Sequence, residues 1–152
     1  MPEFPIGQLS RKTGVSVRTI RYYESIGLLP VARRSGGNQR LYTASHGERL
    51  QFIRHCREFG FSLEEIREMV QLGSDQARSC SEIDQIACRR LEEVKRKIVR
   101  LRGLQAELER IIAGCQGGQM DSCQILSSLA DHRQCLHPEH GGIDEDEHHW
   151  RE

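Results

Sequence analysis

Three cysteines, Cys80, Cys115 and Cys123, are the residues of this 152-residue sequence best suited to do chemistry. Thiolates are soft donors, and three around one ion select zinc, cadmium, lead, mercury or copper(I) over magnesium or calcium. Cys115 and Cys123 flank a seven-residue, glycine-rich stretch, QGGQMDS, so the second thiol can fold back toward the first. Backbone amides in such a loop can offset thiolate charge. Two buried structural thiols would show the same spacing. A further group, His132, Cys135, His137 and His140, with His148 and His149 beyond, has spacing suited to an accessory metal site or to loose affinity in a tail. Cys56 is read as a small core residue, and Cys88 as lying off the apolar seam of its helix.

The elements that must position these thiols begin with residues 80–114. Two seven-residue series interleave there: Cys80, Ala87, Val94, Leu101, Leu108 and Cys115, and Asp84, Leu91, Ile98, Gln105 and Ile112. Apart from Asp84 and Gln105 the seam is apolar, and its flanks (RRLEEVKRKIVR) are charged, the pattern of a coiled coil. A helix packed on its own domain is the alternative, but nothing else in the chain is large enough to cover it. Cys80 and Cys115 lie five heptads apart on this seam, about 50 Å at the α-helical rise, so one chain cannot place both on one ion. In an antiparallel pair, Cys80 of one copy meets Cys115 and Cys123 of the other. A parallel pair would place each cysteine against its own copy.

Residues 1–75 read as a winged helix-turn-helix. A short helix over Ile6 to Thr13, Gly14, an N-cap at Ser16 and a helix from Val17 to Ile26 give helix-turn-helix spacing. The breaker-rich PVARRSGGN and the strand-like RLYT form a wing. A helix over Ala44 to Glu58 follows. Ser62 and Glu65 then make a capping box for a helix running to Leu72, and GSDQARS forms a hinge. Beyond the metal-binding loop, a short helix closes residues 115–130. The His- and acid-rich residues 131–152 read as a disordered tail. The fold class is therefore mostly α.

Charge separates along the chain. Residues 1–60 carry ten Lys/Arg against four Asp/Glu, whereas the whole chain carries 22 of each. A basic head on an acidic body suits a polyanionic partner, here double-stranded DNA. The sequence has no run long enough to span a membrane and no secretory signal pattern, which points to the cytoplasm and to reduced thiols.

The run IGQLSRKTGVSVRTIRYYESIGLLP, followed by RSGGNQRLYT, FIRHCREFGFSLEEI, Cys80 and the Cys115–Cys123 loop, resembles the metal-sensing branch of the MerR family over about residues 5 to 130. The resemblance implies a homodimer with an antiparallel coiled coil. It implies binding to a palindromic operator in a promoter whose elements are spaced too far apart for RNA polymerase. Metal then turns the DNA-binding heads so that the DNA is kinked and untwisted, and transcription is activated. By motif position, Arg18 and Arg21 face DNA, Tyr23 meets a phosphate, and Arg34, Arg40 and Arg57 contact the backbone. Tyr22 is read as core, and Tyr42 fits either role. Gln39 stands where several relatives carry an aromatic. A cysteine at position 80 resembles the sensors of divalent ions (Zn, Cd, Pb or Hg), whereas the loop length resembles the copper(I) sensors, which would use Cys115 and Cys123 alone. Ligand identity outweighs loop length, because a third thiolate suits a +2 charge.

Other classes fit less well. A drug sensor needs a larger domain after the coiled coil, and an iron–sulfur sensor needs four closely spaced cysteines. A storage protein leaves the basic helix-turn-helix unexplained. No glycine-rich phosphate loop, nucleophile elbow or paired-carboxylate pocket marks an enzyme.

Overall fold

A computed structural model of the chain describes residues 2–115 and 117–136. The chain divides into two compact units, Met1–Arg90 and Leu91–Glu152. The first unit opens with β1 (Phe4–Pro5) and α1 (Ile6–Thr13), which stops where Gly14 adopts φ 70° and its N–H returns to the Ser10 carbonyl. A side chain other than glycine is strained in that left-handed turn. Helix α2 (Val17–Ser25) starts at Ser16, whose hydroxyl accepts the Thr19 N–H at 3.1 Å. That cap satisfies a donor the first turn would otherwise leave without a partner.

Both Leu28 and Leu29 donate their N–H groups to the Tyr23 carbonyl, and the two side chains then part company. Leu29 joins a cluster with Phe4, Leu9, Ile20, Tyr42 and Leu50, while Leu28 joins Ile53 and Ile66. Each fully buried Leu or Ile contributes about 2 kcal/mol, so this dipeptide pins the end of α2 to both clusters. The wing is a three-stranded antiparallel sheet, order β1-β3-β2, of β2 (Arg33–Arg34), β3 (Arg40–Tyr42) and β1, with Phe4 opposite Tyr42. Its tight turn is closed by bonds between Ser35 and Gln39 and between Ser35 and Asn38. Strand β1 has no counterpart in the sequence reading.

Helix α3 (Ala44–Glu58) has His46 in the capping-box position, its Nδ1 accepting the Thr43 N–H at 3.1 Å. Helix α4 (Leu63–Gly73) shows the expected box, Ser62 Oγ accepting from Glu65 N and Glu65 Oε2 from Ser62 N. Helix α5 (Ser81–Ala113) follows. Cys80, placed on the helical seam by its spacing, is instead the residue before it, and its carbonyl accepts the Asp84 N–H. The division between units falls inside α5 rather than in the hinge, because Ile86 is fully buried and Arg90 reaches the Phe59 carbonyl.

In the second unit nothing among the described residues covers the apolar stripe of α5. Leu91, Ile98, Leu101, Leu108 and Ile112 are between 42% and 64% exposed. After α5 come a 3-10 turn (Met120–Ser122), α6 (Gln124–Ala130) and a second 3-10 turn (His132–Gln134). Residues 131–136 fold back onto α5. The cause is a buried carboxylate on α5. Glu107 holds the Arg110 guanidinium at 2.8 and 3.0 Å and accepts the Leu136 N–H at 2.7 Å, while Arg110 donates to the Gln134 carbonyl. Among the described residues no helix is long and apolar enough to cross a membrane.

Candidate metal centre and nucleic-acid interface

The end of α5 and the start of α6 bring two thiols to one cleft. Past Ala113 the chain tightens, with Gly114 N–H bonded to Arg110 O and Cys115 N–H to Ile112 O. Gly117 and Gly118 then take positive φ, 73° and 126°, reversing the backbone. The 3-10 turn delivers Cys123, whose N–H returns to Met120 O and whose carbonyl accepts the Ser127 N–H. Around this loop lies a cleft of about 450 Å³ lined by Cys115, Cys123, Gly117, Gly118 and Ser122. Cys115 is exposed and Cys123 half-buried, and both are free thiols. The cleft can therefore present two soft donors to an ion. Cys80 is exposed and does not line it. Among the described residues no three His, Cys, Asp or Glu side chains of one chain converge as a metal site.

The remaining thiols behave differently. Cys56 packs on the cluster of Leu28, Ile53 and Ile66, and burial pushes its thiol pKa up, which disfavours the thiolate a metal needs. Cys88 is exposed, its sulfur 3.8 Å from Asp84 Oδ2. Of the accessory group, His132 is exposed in the second 3-10 turn, and Cys135, which caps that turn, is half-buried. His137 and His140 lie outside the described residues.

On the first unit, α2 presents Arg18 and Arg21 to solvent while Ile20 is buried on its other face. Tyr22, expected in the core, is on the surface, and Tyr23 is half-buried. Tyr22 is 52% exposed, whereas Tyr23 packs against both hydrophobic clusters. Burial raises the Tyr23 pKa, with the Arg57 charge partly opposing it. Tyr42 is wholly buried, and burial reinforced by the Glu24 carboxylate pushes its hydroxyl up to about 12. It is a core residue.

Each arginine of the wing has a local partner. Arg34 Nη1 donates to Asn38 Oδ1 at 2.6 Å across the turn. Arg40 Nε lies 3.7 Å from Glu24 Oε2, while Glu24 Oε1 accepts the Ala32 N–H at 3.1 Å. Glu24 thus joins α2, the connecting loop and β3. In the sequence its one signal is an acid at the end of a basic helix. Arg57 Nη1 donates to the Phe61 carbonyl at 2.8 Å, which braces the turn between α3 and α4.

This arrangement of helix-turn-helix, wing and long helix matches known proteins. Residues 4–72 match the family described as MerR HTH family regulatory protein, and residues 48–111 match that described as MerR, DNA binding. The HTH-type transcriptional regulator ZntR of Escherichia coli is 40% identical over 129 residues, which are 83% of this chain and 92% of that protein. The chain belongs to the MerR family. It is a transcription regulator and not an enzyme. The heavy metal-dependent transcription regulator 2 of Rhizobium meliloti is 34% identical over 83% of this chain and 86% of its own length. A solved structure with the same fold is the transcription regulator PbrR691 of Ralstonia metallidurans, crystallised in complex with lead(II). It is 39% identical, with a TM-score of 0.73, and covers 83% of this chain and 98% of that one.

Proposed function

We propose that this MerR-family chain is a homodimeric, metal-responsive activator that senses a divalent heavy-metal ion (zinc, cadmium, lead or mercury) through three thiolates. Cys115 and Cys123 supply two, and Cys80 of the partner subunit supplies the third. The observation that carries this reading is the cleft at the end of α5, where two free cysteines face one cavity. The exposed apolar stripe of α5 supports an antiparallel dimer, the pairing that brings Cys80 to the opposite end of the seam. A heavy metal-dependent relative and a lead(II)-bound one support the class of ligand. His132 and Cys135, with His137 and His140, would gather metal as an accessory group.

In this reading Arg18 and Arg21 of α2 enter a groove of a palindromic promoter operator, and Tyr23, Arg34, Arg40 and Arg57 meet its backbone. Metal binding distorts the DNA so that RNA polymerase finds both promoter elements in register. Arg21→Ala is expected to weaken operator binding about tenfold, as loss of one arginine contact to DNA does. Electrophoretic mobility shifts measure this, and an unchanged affinity removes Arg21 from the interface.

A second reading is favoured by one observation. Both cleft thiols come from the same chain, which suits a two-coordinate copper(I) site. Anaerobic titration of the reduced protein with zinc, cadmium, lead, mercury and copper(I), following thiolate-to-metal absorption, separates the two. The divalent reading expects two ions per dimer, lost in Cys80→Ser. Tightest binding of copper(I), indifferent to Cys80→Ser, would overturn it in favour of the two-thiolate site.

A further inference from the structure

Within the first unit, the amino end of α5 is held by two side chains one turn apart, Ile86 and Arg90, on one face of the helix. Ile86 is 1% exposed. Arg90 Nε donates to the Phe59 carbonyl at 2.9 Å, spanning 31 residues of sequence. Phe59 is the C-cap of α3, and Gly60 after it takes φ 81°. A Cβ at Gly60 would lie within 3.0 Å of Arg90 Nη2, Cζ and Nε. Glycine at 60 thus serves twice: it permits the left-handed turn, and it leaves the space the guanidinium occupies. With Arg57 on the Phe61 carbonyl, two arginines cluster at the negative end of α3.

The two contacts do different work. Apolar burial has no direction, so Ile86 keeps α5 attached without fixing its rotation. A hydrogen bond weakens steeply as its angle opens, so the bond from Arg90 Nε to the Phe59 carbonyl fixes how α5 is turned against α3. A helix shift of about 1–2 Å, typical of regulatory transitions, is enough to draw the guanidinium off the carbonyl. Helix α3 is in turn embedded in both clusters, Leu50 beside Ile20 of α2 and Ile53 beside Leu28. A tilt of its C-terminal end therefore reaches the helix bearing Arg18 and Arg21 through packed side chains.

We propose that Arg90 is a positioning residue of the metal response: seated over Gly60 and bonded to the Phe59 carbonyl, it couples the position of α5 to the DNA-binding helix through α3. It is neither a metal ligand nor a DNA contact. The proposal rests on the metal-responsive reading above.

The test uses the full chain with Arg90→Gln, which keeps N–H donors on a shorter, uncharged side chain, and Arg90→Lys, which keeps the charge without the guanidinium. Three quantities are read against wild type: operator affinity without metal, cadmium binding by thiolate-to-metal absorption, and cadmium-induced transcription. The expected result is unchanged operator affinity and cadmium binding, with induction reduced about tenfold in Arg90→Gln and partly restored in Arg90→Lys. Wild-type induction in Arg90→Gln would overturn the proposal. Parallel loss of operator or cadmium binding would also overturn it, since the residue would then be structural. A wild type without induction by any of the metals titrated would instead overturn the metal-responsive reading, and this one with it.

Discussion

Cys115→Ser and Cys123→Ser are each expected to reduce metal-induced transcription to the uninduced level while leaving operator affinity unchanged. Cys80→Ser is expected to do the same for divalent ions. Serine keeps the size of the side chain but replaces a soft thiolate by a hard hydroxyl that is protonated at neutral pH, so the ion loses a donor outright. The effect on folding is small in each case. Cys115 is exposed past the end of α5, and Cys123 precedes a seven-residue helix. Cys80 stands before the first residue of α5, a position where serine is preferred over most residues. In the proposed reading DNA binding rests on α2 and the wing, and none of the three cysteines belongs to either. A promoter-reporter assay beside a mobility shift measures both quantities. Full induction in all three variants would show that the thiols are not the sensor.

A comparably large effect is expected from charge on the seam. Ile98→Glu with Leu101→Glu places two carboxylates in the middle of the stripe that α5 leaves 42% and 57% exposed at these positions. If that stripe is the dimer interface, each substitution removes about 2 kcal/mol of burial per copy and adds like charges across the two-fold axis. The protein should sediment as a monomer. Operator affinity should fall by a factor of about 100 or more, because a monomer holds one half-site without the effective concentration that linkage supplies. The α-helical circular dichroism of residues 1–90 should persist, since their core contains neither residue. A variant that remains dimeric would place the interface elsewhere on the chain.

The parts of this molecule that could be read from its sequence are those governed by neighbours in the chain. Ser62 and Glu65 are three residues apart, and their reciprocal bonds form as the spacing dictates. Gly14 and Ser16 announce the turn and start of α2 in the same local way. What was misread depends on distant partners. Tyr22 and Tyr23 differ only by about 100° around one helix, and which ring turns inward is set by Leu28, Leu50 and Ile53 on other elements. Strand β1 is two residues long and exists because Phe4 pairs with Tyr42. The return of residues 134 and 136 to α5 depends on Arg110 and Glu107, 24 and 29 residues away. For the candidate site, the Cys115–Cys123 loop was legible because glycines and cysteines are close in sequence. The role proposed for Cys80 rests on the heptad register alone, since its expected partners belong to another copy of the chain.

The clasp between Glu107 and Leu136 has a consequence for affinity. It ties the chain to itself on both sides of the cysteine loop, so Cys115 and Cys123 sit inside a ring that is already closed before any ion arrives. Closing a flexible loop costs entropy that grows with the logarithm of its length, and here the fold meets that cost when the chain assembles. If Cys115 and Cys123 hold the ion as proposed, only the short span between them is left to order, and the pair would act as a chelate rather than as two independent ligands.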